Sequence, residues 1–433
     1  MSGFAVSSLQ NVLGVPPAKV PLDATTFVSY VIPPVICYFV VAVLAVTPQT
    51  RAVRVASWPV VALLAFRAAV SVDMSQGNPG RKFLNIDLVV RIFTYVEHEP
   101  LQKRSSNDSL HTSFLQLSMI SIVVHTLSWT LAKKPLVRYL RPANSSPSSI
   151  MDALDLVTNL RGHGWDWSRG LYVPRDTRPT NRGAFAFYAL LSGAAHGFVC
   201  GALHIAIQTF AGGVGSSTQG PTIFDETLPF FVRYFRSSII STLAAFGIYT
   251  ILQLSYDLAT IPAVLLFGQD PAQWPPVFDH PWRATSLNEF WSRRWHQCFR
   301  HTLLLVAYPF SVALGRAGTV IGVFLSSGLY HHIMMVMLDS QSEMWRMLVP
   351  FGMMAPGIFA EWAFYQLTGR KVGGVVGWVW TLAWLLLWGN VMVDGFARAG
   401  MFASSSPVDS QSPVRALVVN LVIAFDAWLH TIY

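Results

Sequence analysis

Hydrophobic positions along this chain gather into continuous runs instead of alternating with polar ones. The clearest runs are 27–46, 184–210, 239–267, 318–338, 347–367 and 375–393. A helix needs about 20 apolar residues to cross a bilayer core, so each of these predicts a membrane span. Weaker runs occupy 53–72, broken by Arg67, then 114–131 and 417–432. The run 302–314 is short for a span, which predicts a tilted or re-entrant segment. The pattern predicts an all-α polytopic membrane protein with about eight to ten transmembrane helices, and no internal repeat stands out. Prolines interrupt the runs at Pro33, Pro34, Pro262, Pro309, Pro350 and Pro356. Each removes a backbone donor and favours a kink. Kinked helices are tolerated where they line a protein-enclosed cavity, so the pattern suggests a hollow bundle as readily as ordinary membrane-helix proline usage.

Composition agrees with the pattern. Hydrophobic residues make up 52% of the 433 residues and charged ones only 12%, about half the share found in soluble domains. Mean hydropathy is +0.44. The net charge of +8 comes from 30 Lys and Arg against 22 Asp and Glu. In a membrane protein such an excess points to basic cytosolic loops. No basic run has the aromatic spacing of a nucleic-acid module, so no nucleic-acid partner is expected. Cys37, Cys200 and Cys298 are too scattered for a disulfide framework or a zinc ribbon. The N-terminus lacks a basic region ahead of an apolar core, so the first span is expected to act as a signal anchor.

Loop charge sets an orientation. Residues 133–182 hold nine Lys and Arg against four Asp, which predicts a cytosolic loop. Two spans later the chain reaches 268–300, again basic through Arg283, Arg293, Arg294 and Arg300. An even number of spans returns the chain to the same side. The intervening loop 212–227 has two acids and no cation, as expected of the lumenal side. The chain thus divides into N-terminal membrane helices over 1–132, a basic cytosolic loop over 133–182 and a multi-helix membrane region over 183–433. Sequons stand at Asn107 and Asn144, the second in the loop assigned to the cytosol.

Two stretches carry candidate chemistry. In FLSSGLYHHIMMVML, residues 324–338, His331 and His332 interrupt an apolar helix. Ionisable groups inside a membrane are costly and are functional candidates by default. Adjacent helical residues point about 100° apart, so at most one faces a given cavity. His331 stacks over Ser327 and Gly328, small residues that let a helix or a substrate come close. A neutral imidazole is a natural general base near pH 7; a histidine that merely bridges helices is the plain alternative. The second stretch is SLNEFWSRRWHQCFRH, residues 286–301. Trp291 and Trp295 share a helix face, Glu289 and Arg293 form an i, i+4 pair, and Arg294 and Arg300 are placed to meet phosphates. That surface suits the nucleotide end of coenzyme A, and equally an interfacial belt of Trp and Arg. Metal and hydrolase readings find little support. His296 and His301 are five apart, His331 and His332 diverge, and neither a His-box nor a GxSxG elbow is present. RGHGWDW, residues 161–167, reads either as an amphipathic element at the membrane surface or substrate entrance, or as a structured connecting loop.

The combination of SLNEFWSRRWHQ with FLSSGLYH some thirty-five residues on resembles the membrane-bound O-acyltransferase superfamily, in its wax-synthase-like branch. Ser286, Leu287, Phe290, Trp291, Arg293, Arg294, Trp295 and His296 fit the branch motif, and RGHGWDW is similar to a segment of fungal members. The resemblance covers about residues 150–400. It implies a multi-helix fold around a membrane tunnel, with acyl-CoA entering from the cytosol as co-substrate, a lipophilic alcohol entering from the bilayer, and no permanently bound cofactor. It makes His331 the catalytic histidine and His296 the second catalytic position. His296 stands where many members carry asparagine, and His332 replaces an acidic residue common in plant wax synthases. Trp291, Arg293, Arg294 and Trp295 become candidates for acyl-CoA binding, and Ser327 and Asn288 for substrate contact. Fungal proteins of this kind are often acetyltransferases acting on a ring hydroxyl of a terpenoid or meroterpenoid in secondary metabolism. The expectation is therefore an acetyl-CoA-dependent O-acyltransferase of the endoplasmic reticulum, multi-pass and open to homo-oligomer formation. A wax-ester synthase is the alternative within the family, and a proton-coupled transporter using the buried histidines is the rival outside it.

Overall fold

A computed structural model of the chain describes residues 20–73, 111–141, 146–210, 222–337, 342–402 and 412–431. Both sequons fall outside these residues. Helices dominate, and the strands among the described residues are a two-residue parallel pair, Val20–Pro21 with Val72–Asp73. Seven helices among the described residues are long and apolar enough to cross a membrane. The protein is an all-α polytopic membrane protein.

The first group of helices packs together. Helix α1 (Ala24–Val46) starts on Asp23, whose side chain accepts from the Thr26 N–H at 2.7 Å. A π turn over Phe27–Val31 precedes Pro33 and Pro34, which cannot donate to the preceding turn. Helix α2 (Arg51–Ser71) and helix α3 (His111–Leu131) lie against it. Arg54 is buried, and its guanidinium donates to the carbonyls of Trp129 and Ala132. These are orphan acceptors at the end of α3, so the cation sits where the helix dipole favours it. A short helix α4 (Ser149–Thr158), capped by Ser148, closes this group over Ala153 and Leu156.

The centre is a hairpin of two long helices, α5 (Arg182–Phe210) and α6 (Phe230–Leu265). Arg182, at the start of α5, donates to the Gly268 carbonyl just past the end of α6. The described residues of 133–181 and the segment 266–299 therefore meet on one face. Gln273 donates to Asp155 at 2.6 Å, Tyr172 to Asp279 at 2.6 Å, and Arg161 to the carbonyls of Pro275 and Pro276.

The apolar run 302–314 is an arm of a helical hairpin. Helix α7 (Arg300–Val306) leads into helix α8 (Tyr308–Met337), which is broken at Gly315. Gly315 has φ 59° and ψ −137°, a conformation that a side chain would oppose. The chain doubles back there, so that a Cβ on Gly318 would lie 1.9 Å from the Phe310 carbonyl oxygen. One on Gly322 would lie 2.9 Å from the Ala307 Cβ. Farther along the same hairpin the rings of Phe299 and Tyr330 stand 5.5 Å apart. Doubling back thus brings residue 299, at the start of one arm, level with residue 330 near the end of the other.

Helix α9 (Trp345–Gly352) and helix α10 (Met354–Thr368) are one hydrophobic run bent at Met353. Pro356 explains the bend, because its ring opposes the carbonyl of Gly352, four residues back. Helix α11 (Gly374–Arg398) and helix α12 (Pro413–Leu429) complete the bundle. Asp394 on α11 is buried and accepts from Thr222, the Ile223 N–H, Arg346 and Arg398. Arg236 pairs with Asp426 at 2.6 Å. These polar ties fasten the end of the α5–α6 hairpin opposite the basic loops.

Candidate active site

The segment 286–299 is built as a capped turn, a π turn and a descent into the protein. Ser286 is extended and its hydroxyl accepts from the Glu289 N–H at 3.0 Å, as an N-cap should. The two backbone donors that Ser286 does not reach are taken by Glu361 of α10. Its carboxylate accepts from the N–H of Leu287 at 2.5 Å and of Asn288 at 3.1 Å, and from the Trp380 indole at 3.0 Å. From Phe290 to Arg294 the turn widens to π geometry, closed by the Trp295 N–H donating to the Phe290 carbonyl at 2.8 Å. Buried Gln297 donates to the carbonyls of both Trp291 and Trp295 at 2.8 Å and locks this turn. Short π segments recur at functional sites because they turn side chains out of the regular α-helical register.

The wider turn changes which residues meet. Glu289 pairs with Arg294 at 2.7 Å, five residues on, and not with Arg293 as α-helical spacing predicts. Burial opposes the Glu289 charge, but the Thr285 N–H and Arg294 outweigh it and hold this carboxyl below its usual range. Arg294 also donates to the Asp279 carbonyl at 2.9 Å. Arg293 is exposed, its guanidinium 5.7 Å from the Tyr172 ring. With Asn288, Ser292 and Lys371 it lines an outer cleft of roughly 310 Å³.

Inward, a continuous set of rings connects the segment to His331. Trp295 stacks on Phe290 at 5.5 Å and meets His296 at 5.4 Å. His296 meets Phe299 at 5.9 Å, Phe299 meets Tyr330, and Tyr330 meets His331 at 6.0 Å. A second route runs from Trp291 to Phe351 at 6.5 Å, and Phe351 stacks on His331 at 4.5 Å. The His331 Nδ1 lies 2.7 Å from the Ser327 carbonyl oxygen. A carbonyl only accepts, so Nδ1 carries the proton and Nε2 keeps its lone pair. His332 turns away and meets the Ser342 hydroxyl at 3.3 Å. His296 is held neutral, with its pKa pushed down to about 3 by burial, reinforced by His331 and Arg161. Its Nδ1 is sealed from solvent and has no hydrogen-bond partner among the described residues.

Residues 274–353, which contain both the turn and His331, match the family described as membrane bound O-acyl transferase. The chain is 27% identical to the acetyltransferase ple2 of Rhodocybe pseudopiperita over 58% of its own length and 69% of that protein's. It is 30% identical to the O-mevalon transferase yanI of Aspergillus niger over 37% of this chain and 36% of that one. It is also 30% identical to the long-chain-alcohol O-fatty-acyltransferase of Simmondsia chinensis over 28% of this chain and 34% of that one. Through these residues the chain is similar to O-acyltransferases of the membrane-bound, wax-synthase-like kind.

The residues singled out from sequence fall into two places. Trp291, Trp295, His296 and His331 are joined by the ring contacts. Ser327 joins them through its backbone carbonyl, and its neighbour Gly328 admits helix α9, with the Met347 carbonyl 2.9 Å from where a Cβ would sit. Asn288 and Arg293 belong instead to the outer cleft, and Arg294 is committed to Glu289 and Asp279. RGHGWDW is a packed loop. Trp165 is fully buried and donates to Asp155 at 2.7 Å, and Trp167 lies 4.4 Å from His301.

Sequence reasoning missed Glu361, Phe351, Gln297 and Lys371. Glu361 gave a signal, since it is a carboxylate inside the apolar run 347–367. Phe351 gave none, because a phenylalanine in an apolar run looks like any other.

Proposed function

We propose that this acyltransferase moves an acetyl group from acetyl-CoA to the hydroxyl of a lipophilic terpenoid or meroterpenoid, with His331 as general base. The observation that carries the reading is the Nδ1 contact of His331 with the Ser327 carbonyl. It leaves Nε2 free to take a proton, on an imidazole placed among Tyr330, Phe351 and Phe396. The acceptor oxygen attacks the thioester carbonyl while its proton passes to Nε2. The tetrahedral intermediate then collapses, the carbon–sulfur bond breaks, and His331 returns the proton to the leaving thiolate. No covalent acyl-enzyme is needed. His296 stays neutral through the cycle and acts as a hydrogen-bonding group, which is what asparagine offers at this position in many relatives. The exposed Arg293, on the face that the basic loops assign to the cytosol, suits the phosphates of the acyl donor. The acetyl choice rests on the similarity to the acetyltransferase ple2, the acceptor class on the resemblance to fungal members of the superfamily, and the endoplasmic reticulum is the membrane we assign.

The test is product analysis with membranes, radiolabelled acetyl-CoA and a panel of terpenoid alcohols, for the wild type and His331→Ala. Ester from the wild type and none from the variant supports the reading. Equal ester from both removes His331 from the chemistry. Ester formation only with long-chain acyl-CoA and fatty alcohols moves the substrate class to wax esters.

A further inference from the structure

The indole N–H of Trp291 is sealed from solvent and has no hydrogen-bond partner among the described residues. The fold treats several other tryptophans differently. The indoles of Trp165, Trp274, Trp378, Trp380 and Trp384 all donate, at 2.7–3.0 Å, to carboxylate, amide or backbone oxygens. Among the described residues Trp167 and Trp388 share the lack of a partner; the Trp291 ring lies 6.5 Å from Phe351, which stacks on His331. Leaving a buried donor unpaired costs about 1–3 kcal/mol, so such a group calls for a partner that arrives with a ligand. Trp291 is also held firmly. Its ring is flanked by Phe290, Phe324 and Phe351, and its carbonyl is tied by Gln297.

The reaction supplies the missing acceptor. When the acceptor oxygen bonds to the thioester carbon, the carbonyl π pair moves onto oxygen, and that oxyanion forms in an apolar surrounding. His331 is occupied with the hydroxyl proton, so a separate fixed donor is required. A rigid N–H in a low-dielectric site stabilises such a charge without reorganising. We propose that the Trp291 indole N–H is a catalytic oxyanion donor, acting beside His296; the proposal rests on the acyl-transfer reading of His331.

The test replaces Trp291 with β-(3-benzothienyl)alanine in the full-length membrane enzyme. This residue keeps the shape of tryptophan and exchanges N–H for sulfur. Acetyl-CoA and the terpenoid alcohol that the wild type esterifies best serve as substrates. The expected result is a fall in kcat of about a hundredfold with both KM values within about twofold. A kcat within about threefold of wild type overturns the assignment. So does a loss confined to KM or to the amount of enzyme in the membrane, since either means that the ring only packs. Trp291→Phe serves as a second variant, expected to lose at least as much. An inactive wild type, or an active His331→Ala, overturns the acyl-transfer reading itself. A fully active isostere in an enzyme that His331→Ala kills overturns the Trp291 role alone.

Discussion

The Nδ1–H of His331 donates to the Ser327 carbonyl oxygen across 2.7 Å, one turn back on the same helix. The contact fixes the tautomer without any second side chain. His331→Gln, which can donate but not act as a base, is expected to lower kcat by about 10²–10⁴-fold. Single-turnover assays with preloaded acetyl-CoA check this. Replacing Ser327 by alanine keeps the carbonyl, and is expected to leave kcat within a few-fold of wild type.

His296 behaves as an uncharged group. Its folded pKa is about 3, against an ordinary value of 6.5. The folded protein therefore binds fewer protons here than the unfolded chain does. The contribution of this site to stability is full above pH 6.5 and is lost as pH falls from there toward 3. Thermal unfolding in detergent between pH 7 and pH 4 is expected to show His296→Asn losing less stability on acidification than wild type. The same variant is expected to keep much of the activity, whereas His296→Ala loses it.

Glu361 accepts from two backbone N–H groups and one indole. Glu361→Ala strands all three, at about 1–3 kcal/mol for each donor left unpaired. A lower unfolding temperature, with activity falling through loss of folded enzyme, is the expected outcome. Glu361→Gln retains one acceptor oxygen and should fall between.

The two neighbouring arginines should separate in their effects. Arg294→Ala removes the pairing with Glu289 and the contact with Asp279, so it is expected to lower stability. Arg293→Ala and Lys371→Ala are expected to raise KM for the acyl donor several-fold and to leave the unfolding temperature unchanged. The effect should shrink at high salt, where exposed charges are screened.

Gly318 allows the 300–314 arm to lie against the helix after Gly315. A methyl group there meets backbone, which cannot move aside as a side chain can. Gly318→Ala is expected to cost about 1–3 kcal/mol and to reduce activity by shifting residues 296–299 away from Tyr330. Thermal unfolding and kcat measured on the same preparation test the link.

Much of this protein follows from its sequence alone, because a bilayer imposes one strong rule. Apolar runs of span length must be helices, and basic loops share a side. The pairing of SLNEFWSRRWHQ with FLSSGLYH likewise makes His296 and His331 candidates, and the fold links their rings through Phe299 and Tyr330. Tertiary structure decided what local periodicity cannot carry. A π turn replaced the expected α-helical spacing, so that Glu289 took Arg294 and left Arg293 free. One glycine at 315 turned an apparent short span into a hairpin arm that brings Phe299 to Tyr330. Glu361, Phe351 and the unpaired indole of Trp291 matter only through contacts made across dozens of residues, and a reading based on neighbours along the chain has no term for those.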